Sequence, residues 1–359
     1  MIHFRLLGAG LFAALLGATP ACAQIKQFGE YWTAACDNQR NCAAYGVHFM
    51  WQAGYLRIER GAAAEAQPKV TLAINQDKPV KFTLGFDAPA PDILPKGTIA
   101  PERIDPDHYM RFAIEAPFED VLTVLRKATT INYMPVDPPK PDEYFEATIT
   151  LTGAIEALAW IDQQQKRAGT VTALVKRGAK PASAVPPVPE LPSITVVKPT
   201  LETTPNTPPV IAQKSRTVCG KGDRTGEVRQ PSWLDDTQVM YAFFCMRSSG
   251  AYNLNYALLA APADNPQSAK PIVLRYPENI AAVEKAKSDP LFNAEFNPAT
   301  GTLVTFQLGR AAADCGTLAR WVWDGRAFRL ALLQKMPTCG LIDTHDWPVL
   351  YRANIEKAS

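Results

Sequence analysis

Histidine is scarce here: the chain has four in 359 residues, and His3 lies in what reads as a leader. There is no Gly-x-Ser-x-Gly elbow, no Ser-x-x-Lys and no Cys-x-x-Cys. The common hydrolase signatures are therefore absent, as is the spacing of a thioredoxin-like redox centre. Gly220-Lys-Gly222-Asp-Arg-Thr-Gly226 is glycine-rich but lacks the residue order of a phosphate loop and the helix such a loop opens. Strong charge is missing too. The formal net charge is +2, with residues 24–180 slightly negative and the remainder slightly positive. Neither part holds the basic stripe that a nucleic-acid backbone or an anionic membrane demands. Beyond the leader, no apolar run approaches the length of a membrane span. These absences predict no nucleic acid, no transmembrane segment and no cofactor.

What is present is cysteine, informatively placed. Arg5 supplies a positive charge, Leu6 to Ala18 an apolar run, and Ala21-Cys22-Ala23 a small-x-small cleavage site. Residues 1–23 therefore read as a signal peptide, with the mature chain beginning near Gln24. A bacterial periplasm is the expected address; secretion, or a lipid anchor on Cys22, are the alternatives. Pro20 directly ahead of Ala21-Cys22 fits poorly with a lipid-attachment signal. Cleavage leaves six cysteines in sequence pairs: Cys36 with Cys42, Cys219 with Cys245, Cys315 with Cys339. In an oxidising compartment these read as disulfides. The small Cys36–Cys42 loop should contribute only about 2 kcal/mol, and each larger loop roughly 3–4 kcal/mol.

Length and apolar content allow two domains. From about Pro181 to Pro209 the chain is proline-rich with few aromatics. Each proline fixes φ and pushes its predecessor toward extended geometry, so residues 181–214 read as a semi-rigid polyproline-like linker. Fully extended at roughly 3.1 Å per residue, the stretch from Pro181 to Pro209 would reach about 90 Å, and the linker should be cut first by proteases. Ahead of it, residues 24–180 predict an α+β domain: an antiparallel sheet with two helices. Strands are expected at Tyr31 to Ala35, Gly54 to Arg60, Val70 to Ile74, Val80 to Phe86, Tyr144 to Leu151 and Thr170 to Val175. Helical spacing marks Phe118 to Arg126, and Gly153 to Arg167, the latter closed by Arg167-Ala-Gly169. After the linker, residues 215–359 read as a mainly-β, disulfide-stapled domain of hairpins. Asp324-Gly325 predicts a two-residue turn. It would set Trp321 and Trp323 across from Phe328, Leu330 and Leu332.

Several of these segments together resemble a known bacterial family. They are Trp32 followed by Cys36-Asp-Asn and Cys42; Leu151-Thr-Gly-Ala154 leading to Ile161-Asp-Gln; Arg167-Ala-Gly-Thr-Val171; Cys245 with Gly250-Ala-Tyr-Asn253; Asp314-Cys-Gly316; Trp321-Val-Trp-Asp-Gly325; and Cys339-Gly340. The resemblance is to the family catalogued as domain of unknown function 1176, and it covers nearly the whole mature chain. The Trp32-to-Cys36 start bears a weaker resemblance to invasion-associated locus B proteins. Neither brings catalytic residues to carry over. What they imply is an exported bacterial protein.

Candidate chemistry is sparse. His345 stands in Asp343-Thr-His-Asp346, an imidazole among carboxylates whose spacing matches no established metal loop, and reads as a surface turn. His108 after Asp105-Pro-Asp reads the same way, and His48 beside Phe49 reads as a strand residue. Arg247-Ser-Ser-Gly250 reads as a turn, and Asp235-Asp236 as a solvated pair. No metal site is expected. Trp233 and Trp347, each near a proline in polar company, are the candidates for surface recognition, with Tyr252 beside them. The sequence thus favours a non-enzymatic envelope protein that binds another protein or a wall polymer. The alternatives are a periplasmic hydrolase whose site is scattered in sequence, and an inhibitor of a wall-degrading enzyme.

Overall fold

A computed structural model of the chain describes residues 23–47, 54–75, 81–100, 109–136, 147–214, 218–219, 227–245, 252–278, 280 and 291–357. The first half carries β1 (Gln24–Phe28), β2 (Trp32–Cys36), β3 (Cys42–Val47), β4 (Gly54–Arg60), β5 (Pro68–Asn75), β6 (Phe82–Phe86), β7 (Tyr109–Ala113), β8 (Thr130–Pro135) and β9 (Ala147–Thr150). Six of these form one antiparallel sheet in the order β1-β2-β3-β4-β5-β7, while β6, β8 and β9 form a second. Alternation along β4 explains the layering. Leu56 and Ile58 point into a core shared with the helices, and Tyr55, Arg57 and Glu59 point out of the opposite face.

That first core is closed by α1 (Phe118–Lys127) and α2 (Ala154–Gln164). In α1 the buried residues Val121, Leu122, Val124 and Leu125 make the stripe, with Glu119 and Asp120 at the N-terminus and Arg126 and Lys127 at the C-terminus suiting the macrodipole. The second helix buries Ala157, Leu158 and Ile161 but ends at Gln164. Arg167 does not close it as a solvated charge. Its guanidinium is fully buried and donates to Gln165 Oε1 and to the carbonyls of Ala62, Ala63 and Ala64. Nor does Thr170 to Val175 form a strand. The amides of Leu174, Val175 and Lys176 donate to the buried Asp162 carboxylate at 2.7, 2.8 and 3.1 Å, so a side chain takes the place of a ladder.

Disulfides join Cys36 to Cys42, Cys219 to Cys245 and Cys315 to Cys339. Cys36 and Cys42 are directly opposed in the β2–β3 register. Between them Asp37 Oδ1 accepts from the amides of Gln39 and Asn41, each at 2.8 Å, which rigidifies the turn.

The proline-rich segment is extended but held down rather than free. Arg40 donates to the carbonyls of Pro186 and Pro187, and Gln39 to that of Pro189 at 3.1 Å. Residues β10 (Ser193–Val196) then pair in parallel with β22 (Asn354–Lys357) near the end of the chain. Further on, Thr200 binds Asp236 through its amide and hydroxyl, and α3 (Pro209–Gln213) buries Ile211. Gln39 and Arg40 lie in the first half, Asp236 and β22 in the second, so this strap touches both.

The second half is almost all strand. Around β13 (Gln238–Cys245) and β14 (Asn255–Pro262) gather the short strands β11 (Glu227–Val228), β12 (Ser232–Trp233), β15 (Lys270–Pro271) and β16 (Leu291–Phe292). A five-stranded sheet follows in sequence order: β17 (Glu295–Asn297), β18 (Thr302–Leu308), β19 (Gly316–Trp323), β20 (Phe328–Met336) and β21 (Val349–Arg352). The tryptophan hairpin exists, but its loop is longer than the sequence suggests. Trp323 pairs with Phe328, leaving residues 324–327 in a loop where Asp324 Oδ1 accepts from the amides of Arg326 and Ala327. Leu332 also departs from expectation. Arg320 pairs with Leu332 and Trp321 with Leu330, so Ala331 is an inserted residue that flips the alternation and turns Leu333 inward in its place.

The two halves share buried surface. Tyr45, Val47, Tyr55, Ala73 and Tyr109, on the outer face of the first sheet, form one cluster with Cys315, Met336, Ile342 and Trp347. Gly340 marks a close approach: a Cβ there would lie 2.6 Å from Val47 Cβ.

Candidate functional site

The outer face of the first sheet is unusual in what it presents. Where alternation places side chains away from the helices, β3, β4 and β7 offer three tyrosines and two arginines. They meet the turn at Thr344–Asp346, which Asp343 caps by accepting the His345 amide at 2.7 Å. On the Asp346 carboxylate converge the Tyr55 hydroxyl, Arg57 at 2.7 Å and Arg111 at 3.2 Å, while the Tyr45 hydroxyl donates to the Asp346 carbonyl at 2.6 Å. Arg111 also reaches Asp343 at 3.2 Å, and the Tyr109 hydroxyl donates to the Leu341 carbonyl at 2.6 Å. Burial raises the pKa of each of these tyrosines, and Asp346 adds to the effect at Tyr45 and Tyr55, so all three remain protonated donors. Arg57 stays charged: burial opposes its ionisation, but its pKa is raised, with the carboxylates of Glu59 and Asp346 beside it favouring the charged form.

Beside this cluster lies a cleft of about 290 Å³ whose wall comes from both halves. Arg57, Glu59 and Lys69 line it from the sheet, Asp37 from the stapled turn, and His345 and Arg352 from the end of the chain. The stapled turn and β21 are tied where they meet. Asn38 Nδ2 donates to the Arg352 carbonyl and the Arg352 amide donates to Asn38 Oδ1, both at 3.0 Å, and Arg352 Nε lies 2.9 Å from Asp37 Oδ2. Asp37 and Asn38, noticed in the sequence only as part of a turn, therefore hold one wall against the other.

His345 sits at this cleft with its side chain 86% exposed and Nδ1 2.8 Å from Asp343 Oδ1. Among the described residues the wall has no serine, threonine or free cysteine, since Cys42 is oxidised. Trp347, expected at the surface, is buried: its ring packs edge-on against Phe306 and its Nε1 donates to the Ile342 carbonyl at 3.0 Å. Its polar sequence neighbours mislead because it fills the gap beneath the sheet's tyrosines. Trp233 is half-buried and donates to the Thr203 carbonyl of the strap at 2.7 Å. Tyr252 is half-buried near Gly309, away from the cleft wall.

The Asp235–Asp236 pair divides in the fold. Asp235 is buried, accepting from Trp323 Nε1 at 2.8 Å and from Thr237, whereas Asp236 is exposed and binds Thr200. Asp314 with Cys315 and Cys339 is a grouping of metal-ligand types, but its sulfurs are joined in a disulfide and Arg310 and the Leu341 amide occupy Asp314. His48, His108, Cys22, Ser248, Ser249 and the glycine-rich segment at 220–226 lie outside the described residues.

No solved structure matches this chain. It is similar to a protein of Escherichia coli (strain K12) called "Uncharacterized protein YpfG", at 34% identity over 218 residues. That match takes in 57% of this chain and spans 60% of the relative's length. A family model matches residues 26–354, stapled turn and strap included, so the chain belongs to the family described as "Protein of unknown function (DUF1176)".

Proposed function

We propose that this chain is exported to the bacterial periplasm and acts there by binding an envelope protein or wall polymer rather than by transforming it. One observation carries the binding reading: the cleft between the halves, walled by charged side chains that bonds across the junction hold in place. A concave site of convergent polar groups fixed by rigid elements is what recognition requires. Export is supported by the leader pattern in the sequence and by three disulfides, which suit an oxidising compartment.

A second reading, hydrolysis, has one observation in its favour, the His345–Asp343 contact at the cleft. A carboxylate on Nδ1 orients an imidazole for general-base work on water. Binding is favoured because the imidazole is largely solvated and, among the described residues, the wall has no serine, threonine or free thiol beside it.

The test is a photo-crosslinking residue at His345 in living cells. A reproducible envelope partner attached there is expected. No adduct from His345 in folded, exported protein, with capture from a probe at Trp233 instead, would move the binding surface off the cleft. Turnover of wall-derived substrates that is lost in His345→Ala would replace binding with hydrolysis.

A further inference from the structure

Buried guanidinium N–H groups without an acceptor are rare in folded proteins, because each one left so costs about 1–3 kcal/mol. Among the described residues four buried side-chain nitrogens have no hydrogen-bond partner: Arg40 Nε, Arg57 Nε, Arg60 Nη1 and Arg352 Nε. Three of these arginines, Arg57, Arg60 and Arg352, line the same cleft. Arg352 Nε lies 2.9 Å from Asp37 Oδ2, close enough for an ion pair but not aligned for a hydrogen bond.

Charge accounting points the same way. Arg57 is paired with Glu59 at 2.5 Å and with Asp346 at 2.7 Å, and Arg352 with Asp37. Those pairs use both carboxylates of the wall, Asp37 and Glu59. Arg60 and Lys69 also line the cleft and have no ion pair among the described residues. Lys69 stands opposite Glu59 across the strand pair, but that carboxylate is engaged by Arg57. Arg60 is 4% exposed, and among the described residues its only side-chain hydrogen bond runs from Nε to the Ala66 carbonyl at 2.9 Å. Burial first, and then the neighbouring Arg167, push its pKa down to about 10, so it still carries its charge at neutral pH.

From these facts we infer that the cleft is an oxyanion site, taking a small ligand or a ligand terminus that bears a carboxylate or phosphate group. The inference deepens the binding reading above and rests on it. The guanidinium fork matches both oxyanions in geometry; the buried nitrogens leave these arginines uncompensated, and the exposed Lys69 ammonium with the Arg352 side chain, 40% exposed, are the donors a ligand in the cleft can reach. A volume of about 290 Å³ admits such a group with a few attached atoms, not an extended polymer. His345 at the wall and Gln67 beside Lys69 provide further polar contacts for whatever carries the anion.

The test measures thermal unfolding of the mature chain, residues 24–359, against sodium phosphate and separately sodium glutarate, with ionic strength held constant by sodium chloride. A saturable rise in Tm with at least one anion is expected. Lys69→Gln, an exposed position that should not impair folding, is expected to weaken that binding about tenfold, or about 1.4 kcal/mol. Arg60→Gln should weaken it further, and its circular dichroism spectrum shows whether it folds. Response to phosphate alone or glutarate alone identifies which oxyanion the site prefers. No saturable rise with either anion, or equal affinity in Lys69→Gln, overturns the oxyanion site. If crosslinking from His345 still captures a partner in that case, the cleft remains a binding surface of another chemistry. If both fail, the cleft reading falls as well.

Discussion

Asp346 takes one phenol and two guanidiniums on a carboxylate that is 13% exposed. Removing it by Asp346→Ala leaves Arg57 and Arg111 short of a counter-charge in a largely buried junction, and should cost about 3 kcal/mol. Tyr55→Phe deletes a single charge-assisted bond and should cost about 1.5 kcal/mol. Urea unfolding of both variants measures these losses, and an unchanged midpoint for Asp346→Ala would mean the cluster is solvated in practice. Gly340 tests contact of another kind. Its missing Cβ would overlap Val47, so Gly340→Ala should destabilise by about 1–3 kcal/mol through overpacking between the halves. None of these roles is written near the residue in sequence. Asp346 and Tyr55 are far apart in the chain, and the turn around His345 looks like any surface turn until the sheet is set against it.

Among the elements, the strap is the one whose behaviour departs from its composition. Its prolines make it extended, as their fixed φ requires, but its carbonyls and amides are taken up by Arg40, Gln39, β22 and Asp236. Cutting after the exposed Glu202 by a glutamate-specific protease should therefore follow global unfolding rather than precede it; rapid cleavage there in native protein would mean the strap detaches. One of its anchors has a defined pH response. The amide and hydroxyl of Thr200 lower the pKa of Asp236 below its ordinary value. Because the folded pKa is the lower one, this contribution is complete above the ordinary carboxylate pKa near 4 and is lost as pH falls through the lowered native value. The protection of the Thr200 amide against exchange, relative to an unfolded chain at the same pH, should fall on acidification below about pH 4. In Asp236→Ala it should already be low at neutral pH; equal protection in wild type and variant would exclude the anchor. The hairpin at 324–327 and the inserted Ala331 show the limit of pattern reading at this scale. Alternation gives the faces of a strand, but one extra residue reverses them, and composition does not mark where a ladder slips.

At the scale of the whole molecule the halves are coupled through the outer face of the first sheet. Residues 24–180 expressed alone would expose Tyr45, Val47, Tyr55 and Tyr109, which the second half otherwise covers. Such a contiguous apolar face is an aggregation liability. The fragment is therefore expected to associate or bind a hydrophobic dye, and the full chain to unfold in a single transition seen equally by near- and far-ultraviolet circular dichroism. A monomeric, stable 24–180 fragment would restore the picture of two modules joined by a spacer.

Both helices and part of the strands in the first half were legible because period-two and 3.6-residue patterns are local properties, as at β4 and α1, whereas β1, β3, β7 and β8 were not read from the sequence. The disulfide partners were legible because an even set of cysteines in sequence pairs leaves short loops to close. Thr170 to Val175 misled because Asp162, a side chain from the preceding helix, outcompetes a neighbouring strand for its amides. Trp347 misled because exposure is a property of what packs on a residue, not of its chain neighbours. The cleft belongs wholly to tertiary structure: Asp37, Arg57, Lys69 and Arg352 come from four separate strands or turns. By itself the sequence determined many of the elements and the staples, set by local propensity and spacing. Only the fold decided which charges face one another, because that depends on how two distant surfaces are pressed together.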